Sequence, residues 1–340
     1  MDPMTKLNIA MRRLVGFSLV VVLSVALGDL SGSDHAFAQT EVVVRTDFKF
    51  NGYVSPLALA IDKGFYKANG LDVSIEQGQG SATTVQTVAS GVDTFGLADS
   101  ATAVLGISAQ NVPIKIVSVY NQTGTMGLIY RADSGWNGDL HALKNKVVIS
   151  SAGSADAKLL EPTLATAQMT TDDLQFQLVD FNARVPLFLQ TPNSFLTGFQ
   201  TGDYLRVRAR MPDAKYVPYA KYGLVVYGIG LIVRDETISA SPDLVKKFAA
   251  VTRQGWELAA KDPESAIAAS LKLYPDLSPD LLRQGLKISL EEQLHTPATA
   301  GHPIGWTDEG DWIKMLEVLK KYSGITAKPS SAYYTNRFVE

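Results

Sequence analysis

Serines and a lone aspartate carry most of the polar chemistry that spacing alone can pick out. Gly78-Gln79-Gly80-Ser81 ends in a serine at the head of a helical pattern, and Ser150-Ser151-Ala152-Gly153-Ser154 repeats the device further on. A small-residue loop running into a helix leaves the first backbone N–H groups unpaired and aims them at whatever lies in front. With the hydroxyls of Ser81, Ser151 and Ser154, this is a donor set for an oxyanion, each helix terminus contributing roughly 0.3–1 kcal/mol at an exposed site. Asp99, beside Ser100 at the end of the apolar run Phe95–Ala98, is the opposite. An ionised carboxylate there repels an anion and suits an amine or a ring N–H. Phe48, Phe50, Tyr53, Tyr120, Phe199 and Tyr227 offer flat apolar walls, with Asn51 as a polar group beside the first of them. A small polar ligand with a planar or apolar body fits this set, and sulfonate, carboxylate, amine and pyrimidine all stay open.

Reaction chemistry has less to work with. The 340 residues contain no cysteine, which removes disulfides, thiolate catalysis, iron–sulfur clusters and cysteine-bound zinc. His35, His141, His295 and His302 lack metal-ligand spacing, and no serine sits in a G-x-S-x-G elbow. A binding protein without catalysis, cofactor or metal is the expectation. A net charge of −3 with no basic run gives no footprint for nucleic acid.

The elements that must position these groups follow from hydrophobic periodicity. Glu41–Thr46 reads as a buried strand, and Pro56 opens a helix through Leu57, Ala60 and Ile61. Leu71–Ile75 alternates as a strand, Ala82, Val85, Val88 and Ala89 mark one helix face, and Phe95–Ala98 is a short buried strand. A helix near 101–109 and a strand at 114–119 complete a β-α-β-α-β-α-β order, which implies a parallel sheet. The loop ends at Gln79–Ser81 and Asp99–Ser100 then fall side by side at one sheet edge, where open α/β sheets bind ligands. Gly127-Leu128-Ile129-Tyr130-Arg131 is echoed by Gly230-Leu231-Ile232-Val233-Arg234, and the segment between them is α/β again, with strands at 147–149, 176–179 and 195–199. The echo suggests an inserted second lobe flanked by two connecting strands, with the two small-residue loops facing one another across a cleft. Beyond Arg234 the pattern is helical, with Ser241-Pro242, Asp262-Pro263 and Ser278-Pro279 as helix starts.

Residues 1–38 read as an export signal: Lys6, Arg12 and Arg13, an apolar run Leu14–Gly28, and Ala36-Phe37-Ala38 as a cleavage site. Cleavage after Ala38 with no lipid-accepting cysteine predicts a periplasmic protein that is not a lipoprotein.

An ordered series of segments resembles the substrate-binding proteins of ABC importers for nitrate, taurine, alkanesulfonates and thiamine-pyrimidine precursors. It comprises Pro56 with Ala60, Lys63-Gly64-Phe65-Tyr66, Gly70-Leu71-Asp72-Val73, Gly80-Ser81, Ser90-Gly91-Val92-Asp93 with Phe95-Gly96, Leu143-Lys144, Lys146-Val147, and Gly230–Arg234. The resemblance implies an α/β, two-lobed clamshell of the type II-like periplasmic-binding-protein kind, each lobe a mainly parallel sheet flanked by helices. The expected organisation is a first lobe over 39–130, an inserted lobe over 131–227 and a mostly helical return over 228–340. By the family's pattern the ligand-facing positions are Phe50, Tyr53, Gly80, Ser81, Asp99 and Ser100, with Ser151, Gly153 and Ser154 on the second lobe. The implied partners are a small-molecule ligand and a membrane permease that meets the closed form transiently, the protein itself being a monomer. Where the family usually carries Gly-x-x-Asp-Ala, this chain has Thr191-Pro192-Asn193-Ser194-Phe195, so that acidic residue is missing. Rival readings are a thiamine-pyrimidine-synthase-like enzyme on the same fold and a periplasmic partner of a membrane sensor.

Overall fold

The computed structural model describes residues 39–339; the expected signal segment and its cleavage site lie outside them. The β-branched run Val42-Val43-Val44 forms β1 (Thr40–Arg45), with Val42 and Val44 buried. The chain continues through α1 (Ser55–Asp62), α2 (Phe65–Ala68), β2 (Leu71–Glu76), α3 (Ser81–Ala89), β3 (Phe95–Asp99), α4 (Ser100–Gln110) and β4 (Ile114–Val119). A second group follows: β5 (Met126–Tyr130), β6 (Val147–Ser150), α5 (Ala155–Ala165), β7 (Gln175–Leu178), α6 (Arg184–Gln190), β8 (Phe195–Phe199), α7 (Leu205–Arg208) and β9 (Lys215–Pro218). The return carries β10 (Ile229–Arg234), α8 (Asp235–Ala240), α9 (Pro242–Lys261), α10 (Pro263–Leu273), α11 (Pro279–Ile288) and α12 (Glu309–Ser323).

Two five-stranded sheets result, ordered β2-β1-β3-β10-β4 and β7-β6-β8-β5-β9. In the first, β1 pairs in parallel with β2 and β3, while β10 runs antiparallel to β3 and β4. The second repeats the plan: β6 is parallel to β7 and β8, and β5 is antiparallel to β8 and β9. The Gly-Leu-Ile echo therefore marks the one reversed strand of each sheet, and is not a pair of connectors bracketing an insertion. Because β5 belongs to the second sheet, the expected boundary after residue 130 is displaced: the crossing comes before Met126. The small-residue loops are not equivalents either, since Gly78–Ser81 follows β2 whereas Ser151–Ser154 follows β6, the counterpart of β1.

Two crossing segments join the lobes and are bonded to each other. Tyr120 and Asn121 both donate backbone N–H groups to the Ile229 carbonyl (2.9 and 3.2 Å), and Gly228 donates to the Asn121 carbonyl (2.9 Å). A Cβ on Gly228 would lie 2.9 Å from the Thr123 carbonyl oxygen, so the close approach of the two segments needs glycine there.

Helical starts follow the expected chemistry with one exception. Asp262 and Ser278 accept from the backbone N–H groups of Ser265 and Leu281, whereas the Ser241 side chain makes no such bond. The aromatic core of the first lobe is built on α9: Phe248 stacks on Phe95 (4.1 Å between ring centroids) and Trp256 on Tyr120 (5.4 Å). A smaller core in the second lobe gathers Ile129, Ile149, Phe188, Leu196 and Val207.

Candidate functional site

The two small-residue loops do meet. Gly80 lies against Gly153 of the second lobe, so the cleft is shut at that point. Behind this contact Ser81, Asp99, Ser100 and Ser154 make hydrogen bonds within the protein. Ser81 is the first residue of α3 and not its cap; its Oγ accepts from the backbone N–H of Asp99 (3.1 Å). Asp99 itself caps α4, its Oδ1 accepting from the backbone N–H (2.7 Å) and hydroxyl (2.9 Å) of Thr102. Ser100 donates to the Gly228 carbonyl (2.7 Å), and Ser154 caps α5 while donating to the Ser151 carbonyl (2.8 Å). Of the two helix starts, α3 thus has no side-chain cap and α5 is capped by Ser154, while the neighbouring carboxylate Asp99 caps α4.

Acid groups line the inner face of the junction. Asp47, buried, accepts a hydrogen bond from the Tyr53 hydroxyl. Burial pushes its carboxyl up to about 8, against the Phe48 backbone N–H, with the charges of Asp99 and Asp203 adding to the rise. Burial likewise pushes Asp99 up to about 7; Thr102 opposes the rise, Asp156 adds to it and Lys158 lowers it. The Asp99 Oδ2 is buried without a partner in the described protein.

The second lobe holds a buried ion triad that sequence reading missed. Arg184, wholly buried, donates from Nη1 to Asp156 Oδ2 (3.0 Å) and from Nη2 to Asp203. Burial works against the guanidinium charge, but the two carboxylates outweigh it and raise its proton affinity. Asp156 is tied further to Ser150 Oγ (3.2 Å) and Thr197 Oγ1, and Asp203 accepts from the Phe199 backbone N–H (3.2 Å). On top of this triad lies Phe181, its ring centroid 3.6 Å from the Arg184 guanidinium carbon. Phe48, from the loop after β1, stacks on Phe181 from the facing lobe.

This ring pair borders the open space. A cavity of about 680 Å³ is lined by Phe48, Lys49, Gln77, Gly78 and Gln79 from one lobe and by Ser151, Ala152 and residues 178–182 from the other. The Ser151 Oγ is buried without a partner in the described protein, and Gln77 and Gln79 supply amides on the opposite wall. Of the sequence-predicted residues, Phe48, Gln79 and Ser151 line this cavity, and Gly80 and Gly153 close its inner end. Phe50 and Asn51 border a separate hollow of about 70 Å³; Asn51 accepts from the Tyr53 backbone N–H (3.1 Å). Tyr120 and Tyr227 lie elsewhere: Tyr120 packs on Trp256, and Tyr227 packs on Trp312 (5.0 Å) with its hydroxyl donating to the Asp308 carbonyl. Both are core side chains of the first lobe. Phe199 is buried at the end of β8 and lines none of these cavities.

Phe181 could have been found from the sequence. Asp47-Phe48 lies just beyond β1, and the same dipeptide, Asp180-Phe181, lies just beyond β7.

Two similarly wound lobes, each with a reversed fourth strand and closing on a shared cleft, make the fold that of a periplasmic binding protein. The chain belongs to the NMT1/THI5 like family, whose model matches residues 51–266. It is 24% identical over 311 residues to the riboflavin-binding protein RibY of Chloroflexus aurantiacus, covering 88% of this chain and 86% of that protein. It is 22% identical over 309 residues to the 4-amino-5-hydroxymethyl-2-methylpyrimidine phosphate synthase of Aspergillus parasiticus, covering 88% and 87%. The crystal structure of the periplasmic aliphatic sulphonate binding protein SsuA from Escherichia coli superimposes with a TM-score of 0.64 at 13% identity, over 85% of this chain and 90% of that one.

Proposed function

We propose that this protein is an extracytoplasmic solute-binding receptor, acting as a monomer, that delivers a small planar organic molecule to an ABC-type membrane permease by closing its lobes around it. One observation carries the reading: Phe48 and Phe181, one from each lobe, present their faces to each other at the edge of a cavity of about 680 Å³. The two rings stack on each other directly, so a flat ring between them would take the place of that contact and be held by both lobes at once, which couples occupancy to the arrangement of the lobes. The Gln79 amide, the Gln77 Nε2 (its Oε1 accepts from the Phe50 N–H at 3.2 Å) and the unpartnered Ser151 hydroxyl suit the polar edge of such a ring. The names of the two sequence relatives, a flavin binder and a pyrimidine phosphate synthase, both involve flat nitrogen heterocycles. Binding rather than synthesis is the function we infer, because the site is built from stacking faces, amides and hydroxyls, and the chain has no cysteine to serve as a nucleophile.

The test is a thermal-shift screen on protein unfolded and refolded to strip carried-over ligand, with riboflavin, an aminopyrimidine, taurine and nitrate as probes. A ligand at a hundred times its dissociation constant stabilises by about 2.7 kcal/mol, an easily read shift. A flat heterocycle should raise the melting temperature, and Phe48→Ala or Phe181→Ala should remove that response. Stabilisation by nitrate or taurine alone, or by none of the four, overturns the planar-ligand reading.

A further inference from the structure

Beyond the ring pair the cleft widens into a second hollow of about 830 Å³, which shares Lys49, Phe181 and Asn182 with the first. Its charge is concentrated although the whole chain carries −3. Lys49 enters from the first lobe, and Arg206 and Arg210 enter from the second. The arginines stand four residues apart on α7 and the turn that continues it, with Ala209 between them on the same wall, so their side chains share one face. Like charges at that spacing repel by a few tenths of a kcal/mol unless something sits between them. Arg206 lies 3.8 Å from the Asp203 Oδ1, the oxygen that Arg184 leaves open, and 5.9 Å over the Phe48 ring, so it is only loosely paired. Among the described residues, Lys49 and Arg210 have no carboxylate within ion-pair distance, and the one carboxylate lining the hollow, Asp280, is bonded to Arg283 (2.8 Å).

We infer that this hollow is a second subsite, taking a phosphate or comparable multiply charged oxyanion borne by the ligand whose ring lies between Phe48 and Phe181. The inference rests on the ring reading above and adds the ligand's charge. Guanidinium forks suit the geometry of a phosphate, and two of them with an ammonium opposite would hold a dianion from both lobes. The shared wall at Phe181 and Asn182 means that a short linker between ring and anion suffices. The site would thus select a phosphorylated or otherwise acidic heterocycle over its neutral parent.

Inorganic pyrophosphate, which has no ring, separates this inference from the ring reading. Calorimetric titration of the full chain at low and high potassium chloride should show pyrophosphate binding that weakens steeply with salt. Lys49→Gln combined with Arg210→Gln, both on exposed residues free of ion pairs, should weaken it at least tenfold, as should Arg206→Gln. Arg208→Gln, on the same turn but packed over Tyr204, should leave it unchanged. No binding to the wild type, or equal binding to the Lys49/Arg210 double variant, overturns the inference whatever riboflavin does. Loss of pyrophosphate binding in that variant alongside no response to any flat heterocycle would keep the anion subsite and overturn the ring site.

Discussion

Gly80 and Gly153 touch across the junction of the lobes: a Cβ on Gly80 would lie 2.8 Å from the Gly153 carbonyl oxygen. Gly80 also sits at φ +121°, a backbone region that L side chains rarely adopt. Its carbonyl accepts the Thr84 N–H of α3, and its own N–H donates to the Asp47 carbonyl (2.7 Å), so the loop cannot simply swing away. Gly80→Ala should therefore hold the lobes apart. Small-angle scattering is expected to report a larger radius of gyration for the variant in the presence of any stabilising ligand, with affinity down by tenfold or more. A variant that closes like the wild type would show that the contact does not limit closure.

The acid pair at the junction makes stability depend on pH in an unusual direction. Asp47 and Asp99 are raised to about 8 and about 7 mainly by burial, against ordinary values near 4. Asp156 and Asp203 add repulsion from the second lobe, and Lys158 on α5 offers partial relief. Between pH 4 and 8 the folded state then binds more protons than the unfolded chain, so stability falls as pH rises through that window. Each tenfold change in proton affinity corresponds to about 1.4 kcal/mol, so rises of this size make the decline readable by denaturant titration below pH 8. Asp99→Asn keeps an oxygen for the α4 cap and removes the charge. Denaturant titrations should show a flatter pH profile for Asp99→Asn, with its largest gain over wild type at pH 8. Parallel profiles for the two proteins would place the titration elsewhere.

The ion triad should be indispensable to the second lobe. Removing the cation from between Asp156 and Asp203 leaves two buried carboxylates facing each other, and breaking buried pairs of this kind costs about 3–5 kcal/mol. Arg184→Met should lower the unfolding free energy by that amount at pH 7, read from denaturant titration. Lost packing on Phe181 contributes in the same direction. A loss below about 1 kcal/mol at pH 7 would mean that solvent reaches the pair when Arg184 is gone.

How far the sequence could be read differs between fold and site. Local patterns such as Val42-Val43-Val44, Phe95–Asp99 and the Ser278-Pro279 helix start announce their elements because each depends on neighbouring residues alone. The Gly-Leu-Ile echo announced a repeat but not its meaning, since strand direction is fixed by partners far along the chain. The site was harder for a related reason. A serine ahead of a helix looks like an N-cap until the fold makes Ser81 an acceptor for the Asp99 N–H, and it looks like a free donor until the Ser151 carbonyl takes the Ser154 hydroxyl proton. Tyr120 and Tyr227 look like walls until Trp256 and Trp312 arrive from the C-terminal helices. Arg184, an arginine in an otherwise apolar helix start, is explained only once β8 brings Asp203 beside it.

Phe48 and Phe181 supply the most direct measure of contact between the lobes. A stacked aromatic pair contributes about 0.5–1.5 kcal/mol beyond its buried area, and this term should appear as coupling between the two positions. Urea unfolding of wild type, Phe48→Ala, Phe181→Ala and the double variant should give a coupling energy of about 1 kcal/mol. The single variants are expected to differ, because Phe181 covers the buried Arg184 guanidinium at 3.6 Å, whereas Phe48 meets only the partly exposed Arg206 at 5.9 Å. Additive losses would mean that the rings do not meet in solution and that the lobes rest apart without ligand. Coupling that appears only when a flat heterocycle is added would instead identify that molecule as the bridge between the two rings.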